Sequence, residues 1–160
     1  MSTVVEHAQI FMVAQEVFAA MVENGDPSLL QQWDGDLPTL DQAVSAWVDL
    51  HGDWLGSTVL TTEKATADDL ARALLDLGAD EEVTEPDLVD AFGEIANVIG
   101  GNVKSLLPTQ GSLGLPTVAA VAPLLGGAVV IQELRLAWRG RPLVVAVWEI
   151  ENTAQEGNHS

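Results

Sequence analysis

Apolar positions in the first part of the chain follow the spacing of a helix. Between residues 10 and 21 they recur every three or four positions, which is the pattern of one buried face of an α-helix. Thr3 with Glu6 fits a capping box before this stripe, and Asp26-Pro27 fits its end. Residues 26–41 are rich in Gly, Pro, Asp and Gln, so they predict a loop.

Alternation of apolar and polar residues then predicts a hairpin, and a second helix follows it. Ala43–Leu50 and Trp54–Thr61 indicate two strands joined by a short turn. Thr66 with Asp69 is the pattern of a second capping box. The helix that it predicts ends at Gly78, because glycine is the usual residue just beyond a helix.

The second half of the chain predicts one long helix and three more strands. Thr84, Pro86 and Asp87 are typical of a helix start, and the helix runs to about Leu106. The predicted strands are Gly114–Val121, Ala128–Trp138 and Pro142–Ile150. Helices and strands fall in separate blocks. The predicted fold class is therefore α+β, a mainly antiparallel sheet of about five to six strands with two long helices and one shorter helix.

Length and two unusual segments bear on domain organisation. A chain of 160 residues fits one domain, and we expect residues 1–150 to form it and the polar residues 151–160 to be a flexible tail. Residues 113–131 are uncharged and mostly apolar, as in a membrane span, but prolines and glycines interrupt them and favour buried strands. Residues 1–6 lack the basic residues of a secretory signal, so we expect a cytoplasmic protein. A membrane-associated protein is a distant further hypothesis.

Composition and charge exclude several classes of function. There is no cysteine, which excludes disulfides and thiolate chemistry, and three scattered histidines argue against a metal cluster. The net charge is −18, and residues 1–100 carry 20 acidic side chains against Lys64 and Arg72. Such a chain repels phosphate backbones and anionic membranes, so we expect no nucleic-acid or membrane partner. Solubility alone is the other interpretation of this acidity.

The predicted third helix has two faces of different character. At 100° per residue, its core face consists of Leu88, Phe92, Ile95, Ile99, Val103 and Leu106. The opposite side carries a polar stripe of Asp90, Glu94, Asn97, Gly101 and Lys104. The consecutive glycines Gly100-Gly101 each cost about 1 kcal/mol relative to alanine, so helix stability alone does not explain them. Gly101 bares the backbone, where a partner can approach closely. A merely solvated face is the alternative interpretation.

Glu94 and Asn97 offer specific chemistry. They lie three positions apart and are therefore neighbours on the exposed side of the helix. A carboxamide is no general base, but it can hold a water molecule by donating one hydrogen bond and accepting another. Positioning of this kind carries much of phosphoryl-transfer catalysis. A glutamate can pair with a partner's lysine, and because the sequence has no phosphate-binding glycine loop, the phosphate and its metal would come from that partner.

Three segments carry a resemblance to a known family: Gly52–Val59, Asp90-x-x-x-Glu94-x-x-Asn97 and Leu115-Pro116-Thr117-Val118. They resemble the hairpin, the signature helix and the proline segment of the CheC/CheX/FliY phosphatases of bacterial chemotaxis. The similarity runs over roughly residues 4–150, and its single-site layout is closest to CheX.

This resemblance implies a phosphatase that hydrolyses the aspartyl phosphate of a CheY-like response-regulator receiver domain. It implies that Asn97 orients the attacking water, that Glu94 engages the receiver's lysine, and that the receiver, not this chain, holds the Mg²⁺. The supporting or partner-binding candidates are Asp90, Gly101, Lys104 and Pro116. Members close to CheX form homodimers, and we expect the same here. The alternative is a non-catalytic binding module that docks on a receiver or a flagellar-motor protein.

The first helix resembles the third in sequence. When the two are aligned, Glu16 falls on Glu94 and Ala19 on Asn97. Relatives of the CheC type carry two active helices. A decayed second copy and a core pattern shared by chance explain the match equally well. Because Ala19 lacks the water-holding amide, we expect one working site per chain.

Overall fold

Three helices pack on one face of an antiparallel sheet in the computed structural model, which describes residues 6–22, 30–107, 111–120 and 127–150. The helices are α1 (His7–Met21), α2 (Lys64–Leu75) and α3 (Glu85–Ser105). The strands are β1 (Leu30–Gln32), β2 (Ala43–Gly52), β3 (Gly56–Glu63), β4 (Gly111–Leu113), β5 (Thr117–Ala119), β6 (Ala128–Trp138) and β7 (Arg141–Ile150). The predicted α+β class is confirmed, with seven strands in the residues described.

Two hairpins form the centre of the sheet. The strand order is β1-β6-β7-β3-β2-β4, and β5 pairs with β2 beside β4. The predicted β2–β3 hairpin is present, but its turn lies two residues later than predicted. Leu50 pairs with Gly56, and Trp54, predicted as the start of the second strand, lies in the connection. In the β6–β7 hairpin the turn residues Arg139 and Gly140 both have positive φ, 51° and 79°, which is the geometry of a tight two-residue turn. Both hairpins place their inward side chains under the helices.

Short strands account for the differences between the predicted and the observed sheet. The predicted loop 26–41 contains β1, which pairs with the end of β6. The predicted strand Gly114–Val121, described as far as residue 120, is replaced by β4 and β5, which both pair with β2 and are separated by residues 114–116. A strand of three residues is too short to show an alternating pattern, so the sequence could not reveal these elements.

The predicted capping box of α2 is wrong. The helix begins at Lys64 directly after β3, so Glu63 occupies the N-cap and Thr66 lies inside the first turn. Thr66 is 1% exposed, and within the described residues its hydroxyl has no hydrogen-bond partner. The helix ends before Gly78, with Asp76 in the left-handed conformation at φ 57°. Aspartate tolerates that conformation better than most residues, which is why no glycine is needed there.

The ends of the chain were the subject of two further predictions. Thr3 and the flexible tail 151–160 lie outside the described residues, but the predicted pairing of Thr3 with Glu6 in a capping box is wrong, because Glu6 itself is the N-cap of α1. Glu6 occupies the N-cap position of α1, and its backbone N–H donates to Gln9 Oε1 at 3.1 Å. In the described residues no helix combines the length and the apolar character needed to cross a membrane. The described parts of the span-like segment 113–131 belong to the sheet and its connections.

Helix α3 lies at the centre of the helix layer. It packs against α1 and α2 on its sides and against β2 and β3 below. The buried members of its predicted core face are Leu88, Phe92, Ile95, Ile99 and Val103, whereas Leu106 is only partly buried. Burying these side chains fixes the rotation of the helix, so the same contacts determine which residues of α3 face solvent.

Candidate active site on the third helix

The start of α3 sets the register of the candidate site. Thr84 is the N-cap, and its Oγ1 accepts a hydrogen bond from the backbone N–H of Asp87 at 3.2 Å. Asp87 returns the contact, because its Oδ2 accepts from the Thr84 N–H at 3.4 Å. This reciprocal cap satisfies two backbone donors that the helix itself leaves unpaired. The start predicted from the sequence is therefore confirmed.

Glu94 and Asn97 lie side by side on the outer face of α3. Glu94 is exposed and Asn97 is half-buried, so neither side chain belongs to the core. Asn97 Nδ2 donates to Glu94 Oε1 at 3.4 Å. This long bond uses one amide N–H. Within the described part of the chain, the second N–H and the amide oxygen remain for a water molecule.

The other candidate residues on α3 lie on the same side of the helix as Glu94 and Asn97. Asp90 is exposed one turn before Glu94, whereas Gly101 and Lys104 are partly buried in the turns that follow Asn97. The stripe read from the sequence is thus present as one surface.

Pro116 reaches this surface from a different part of the chain. A Cβ placed on Gly93 would lie 3.5 Å from Pro116 Cβ, which is ordinary van der Waals contact. Gly93 precedes Glu94 and lies one turn before Asn97 on the neighbouring side of the helix. The fold therefore places Pro116 beside the Glu94/Asn97 pair, although nineteen positions separate Pro116 from Asn97 in the sequence.

The glycines of α3 serve packing within the molecule. A Cβ on Gly100 would lie 2.3 Å from Val48 Cγ2 on β2, so a side chain there has no room. A Cβ on Gly101 would lie 3.6 Å from Leu113 Cδ1. Gly101 is only partly buried beside Leu113, so the close approach of a partner to its backbone stays a prediction. Gly93, Gly100 and Gly101 together form a surface that we call the glycine face. The sequence shows that Gly100 and Gly101 weaken the helix, but it does not show which strands pack against them.

The surface of α3 around the candidate site is mainly acidic. Asp90 and Glu94 face solvent there, and Lys104 is the basic residue of the last turn of α3. Within the ranges that the structure covers, no three carboxylate or histidine side chains lie where they could hold a metal ion together. The site as described offers an amide and carboxylates to whatever binds it.

Asp69 lies in a separate ionic cluster that ties α2 to the β6–β7 turn. Its Oδ1 accepts from Arg72 Nη1 at 2.7 Å, and its Oδ2 accepts from Arg141. Partial burial raises the pKa of Asp69, but the hydrogen bonds from Arg141 and Arg72 lower it more, so the pKa lies below its ordinary value. This cluster supports the fold and is not part of the stripe.

The first helix does not reproduce the site. Glu16 is exposed like Glu94, but Ala19, the counterpart of Asn97, is buried at 8% exposure. A buried methyl group can neither orient a water molecule nor contact a partner. That the chain has one working site stays a prediction.

Solved structures share this fold. CheX of Borrelia burgdorferi, solved as a complex with CheY, BeF3 and Mg²⁺, is 19% identical with a TM-score of 0.69, over 92% of this chain and all of that one. CheX of Vibrio vulnificus is 17% identical with a TM-score of 0.65, over 89% and 95% of the two chains. CheX of Desulfovibrio desulfuricans is 21% identical with a TM-score of 0.63, over 91% and 99%. No curated protein sequence gives a significant match.

A family model identifies the chain more directly than these structures do. The model described as chemotaxis phosphatase CheX matches residues 44–125. This segment contains the β2–β3 hairpin, the whole of α3 and the residues that pack on its glycine face. Because the matched segment is just over half of the sequence, the chain belongs to the CheX family of chemotaxis phosphatases.

Proposed function

We propose that this protein hydrolyses the aspartyl phosphate of a CheY-like receiver domain. The observation that carries the proposal is the Glu94/Asn97 pair, an exposed carboxylate beside a half-buried amide on one helix in a member of the CheX family. The CheX of Borrelia burgdorferi that shares this fold was solved with CheY, BeF3 and Mg²⁺. A CheY-like partner is therefore the substrate class that we propose here.

Asn97 orients the attacking water in this proposal. The amide accepts one hydrogen bond from the water and donates another to it, and so aims its lone pair at phosphorus. The water oxygen bonds to phosphorus while the bond from phosphorus to the aspartyl oxygen breaks. The products are inorganic phosphate, which carries both protons of the water as dihydrogen phosphate before it equilibrates with solvent, and the free carboxylate of the receiver. Asn97 changes neither its charge nor its bonds.

Glu94 fixes the docking geometry in this proposal. Its exposed carboxylate pairs with the receiver's active-site lysine. The Mg²⁺ is bound by the receiver and neutralises charge on the transferred group, so this chain supplies no metal ligand. Asp90, Gly101, Lys104 and Pro116 border the pair and act as supporting or docking residues. The proposal includes a homodimer that acts in the cytoplasm on a protein partner, without nucleic acid or membrane.

The decisive experiment compares two asparagines on the same helix. Asn102 is exposed, and its Nδ2 donates to the Val98 carbonyl at 2.8 Å, so Asn102→Ala removes an amide outside the proposed site. Phosphate release from a phosphorylated receiver with Mg²⁺ is measured for the wild type, for Asn97→Ala and for Asn102→Ala. We expect the Asn97 variant to lose activity by roughly a hundredfold, because the water is no longer positioned. The control should keep the wild-type rate.

Two outcomes separate this proposal from its alternative. Wild-type activity in Asn97→Ala refutes the catalytic role of the amide. Binding of the receiver without any faster phosphate loss in the wild-type protein favours a non-catalytic binding module.

A further inference from the structure

The connection between β4 and β5 exposes an apolar side chain that the core does not use. Leu115 is 91% exposed, which is the highest value among the large apolar side chains of the described residues. Single exposed leucines are common on protein surfaces, so exposure alone has little meaning. The position and the rigidity of this leucine distinguish it.

The backbone around Leu115 is fixed on both sides. The Gly114 N–H donates to the Asp49 carbonyl on β2 at 2.8 Å, and β4 and β5 pair with β2 before and after the connection. Pro116 also confines the residue before it to an extended conformation. Leu115 is therefore presented by an ordered backbone, and little backbone freedom would be lost when a partner covers it.

The residue that follows Leu115 connects it to the candidate site. Its neighbour Pro116 packs on α3 at Gly93, with 3.5 Å between Pro116 Cβ and the position of a Gly93 Cβ. Gly93 is adjacent to Glu94 and one turn from Asn97. An apolar side chain thus stands next to an acidic and amide-bearing surface, and only a ligand larger than the phosphoryl group can touch both.

We propose that Leu115 is an apolar docking residue for the protein that carries the phosphoryl group. This inference rests on the proposed function and adds a specificity determinant to it. The partner's surface then combines a lysine that meets Glu94 with an apolar patch that covers Leu115. Since Leu115 is joined to Pro116, which packs on α3 at Gly93, it contributes to binding of the protein substrate and takes no part in the attack on phosphorus.

The test separates binding from chemistry. Phosphate release is measured over a range of receiver concentrations for the wild type, Leu115→Ser, Leu115→Met and the control Val129→Ser. Val129 is 48% exposed at the start of β6, and β7 and β3 separate that strand from β2, with which β4 and β5 pair. We expect Leu115→Ser to raise KM about tenfold with kcat within twofold of wild type, because the apolar contact contributes only to binding. Leu115→Met restores KM, and Val129→Ser leaves both constants unchanged.

Failure of this inference is distinguishable from failure of the proposed function. If Asn97→Ala abolishes activity while Leu115→Ser leaves KM unchanged, the phosphatase function stands and the docking role of Leu115 is overturned. A fall in kcat alone in Leu115→Ser overturns it as well. If no phosphate is released by the wild type, the Kd for a receiver carrying BeF3 and Mg²⁺ is measured instead. A Kd about tenfold weaker in Leu115→Ser then supports the docking role without the phosphatase function, and an unchanged Kd refutes it.

Discussion

Alanine at the two consecutive glycines of α3 should have opposite effects on stability. In a helix interior, alanine is favoured over glycine by about 1 kcal/mol. At Gly101 the new methyl group lies 3.6 Å from Leu113 Cδ1, which is ordinary contact, so the helix gain is kept. We expect Gly101→Ala to raise the free energy of unfolding by about 0.5–1 kcal/mol.

At Gly100 the same change meets the sheet. The new methyl group would lie 2.3 Å from Val48 Cγ2, whereas two carbons in contact are normally about 3.5–4.0 Å apart. Val48 is 1% exposed, stiff at χ1, and held on a strand that pairs on both sides, so it cannot move away cheaply. Overpacking of this kind costs about 1–3 kcal/mol, so Gly100→Ala should lose up to about 2 kcal/mol after the helix gain of about 1 kcal/mol is subtracted.

Urea unfolding followed by far-UV circular dichroism measures both changes. The two variants should differ by about 2 kcal/mol, or roughly 4–8 °C in Tm for a chain of this length. They share a residue type, a helix and a substitution, so propensity cancels in the comparison. A Gly100→Ala protein as stable as Gly101→Ala would refute the packing argument.

Further predictions concern α2, its ionic cluster and the surface charge. Thr66→Val should leave the free energy of unfolding in urea unchanged or raise it by up to about 1 kcal/mol, because the buried hydroxyl makes no hydrogen bond within the described residues. A loss of about 1 kcal/mol would instead show that the Thr66 hydroxyl caps the helix. Asp69→Asn should cost about 1 kcal/mol at pH 7. Since the folded-state pKa of Asp69 lies below its ordinary value of 3.8, the wild type has this stability above that pH and loses it as pH falls through the folded pKa. The deficit of the variant should therefore shrink in unfolding curves below about pH 4, and a deficit independent of pH would contradict the ionic explanation. Receiver binding, measured as Kd, should weaken as salt is raised from about 0.05 to 0.5 M, because exposed acidic groups are screened; a constant Kd would leave the acidity as a solubility feature.

The sequence predicted the parts of the fold that depend on local patterns. Thr84 and Asp87 lie at the start of the helix that they cap, so this start could be predicted from a few neighbouring residues. That Glu94 and Asn97 lie outside the core followed from the same periodicity, because burial of one face leaves the other towards solvent.

What the sequence could not predict depends on contacts between distant segments. The clash that reserves Gly100 for glycine comes from Val48, a residue on a strand more than fifty positions earlier. The strands β1, β4 and β5 are defined by their pairing with β6 or β2 and have no pattern of their own. Likewise, Leu115 lies in the connection between β4 and β5 and is exposed, whereas its sequence context predicts an apolar residue within a strand.

The pairing of β2 with β4 and β5 has a consequence for how the protein acquires its surface during folding. The β2–β3 hairpin closes locally, whereas joining residues 43–52 to residues 111–119 requires the closure of a long loop that contains α2 and α3. Such distant pairings form slowly. A chain in which these pairings have not formed lacks the ordered connection that presents Leu115. If that connection contributes to docking, recognition of the partner is acquired late in folding, and an incompletely folded chain does not compete for the receiver.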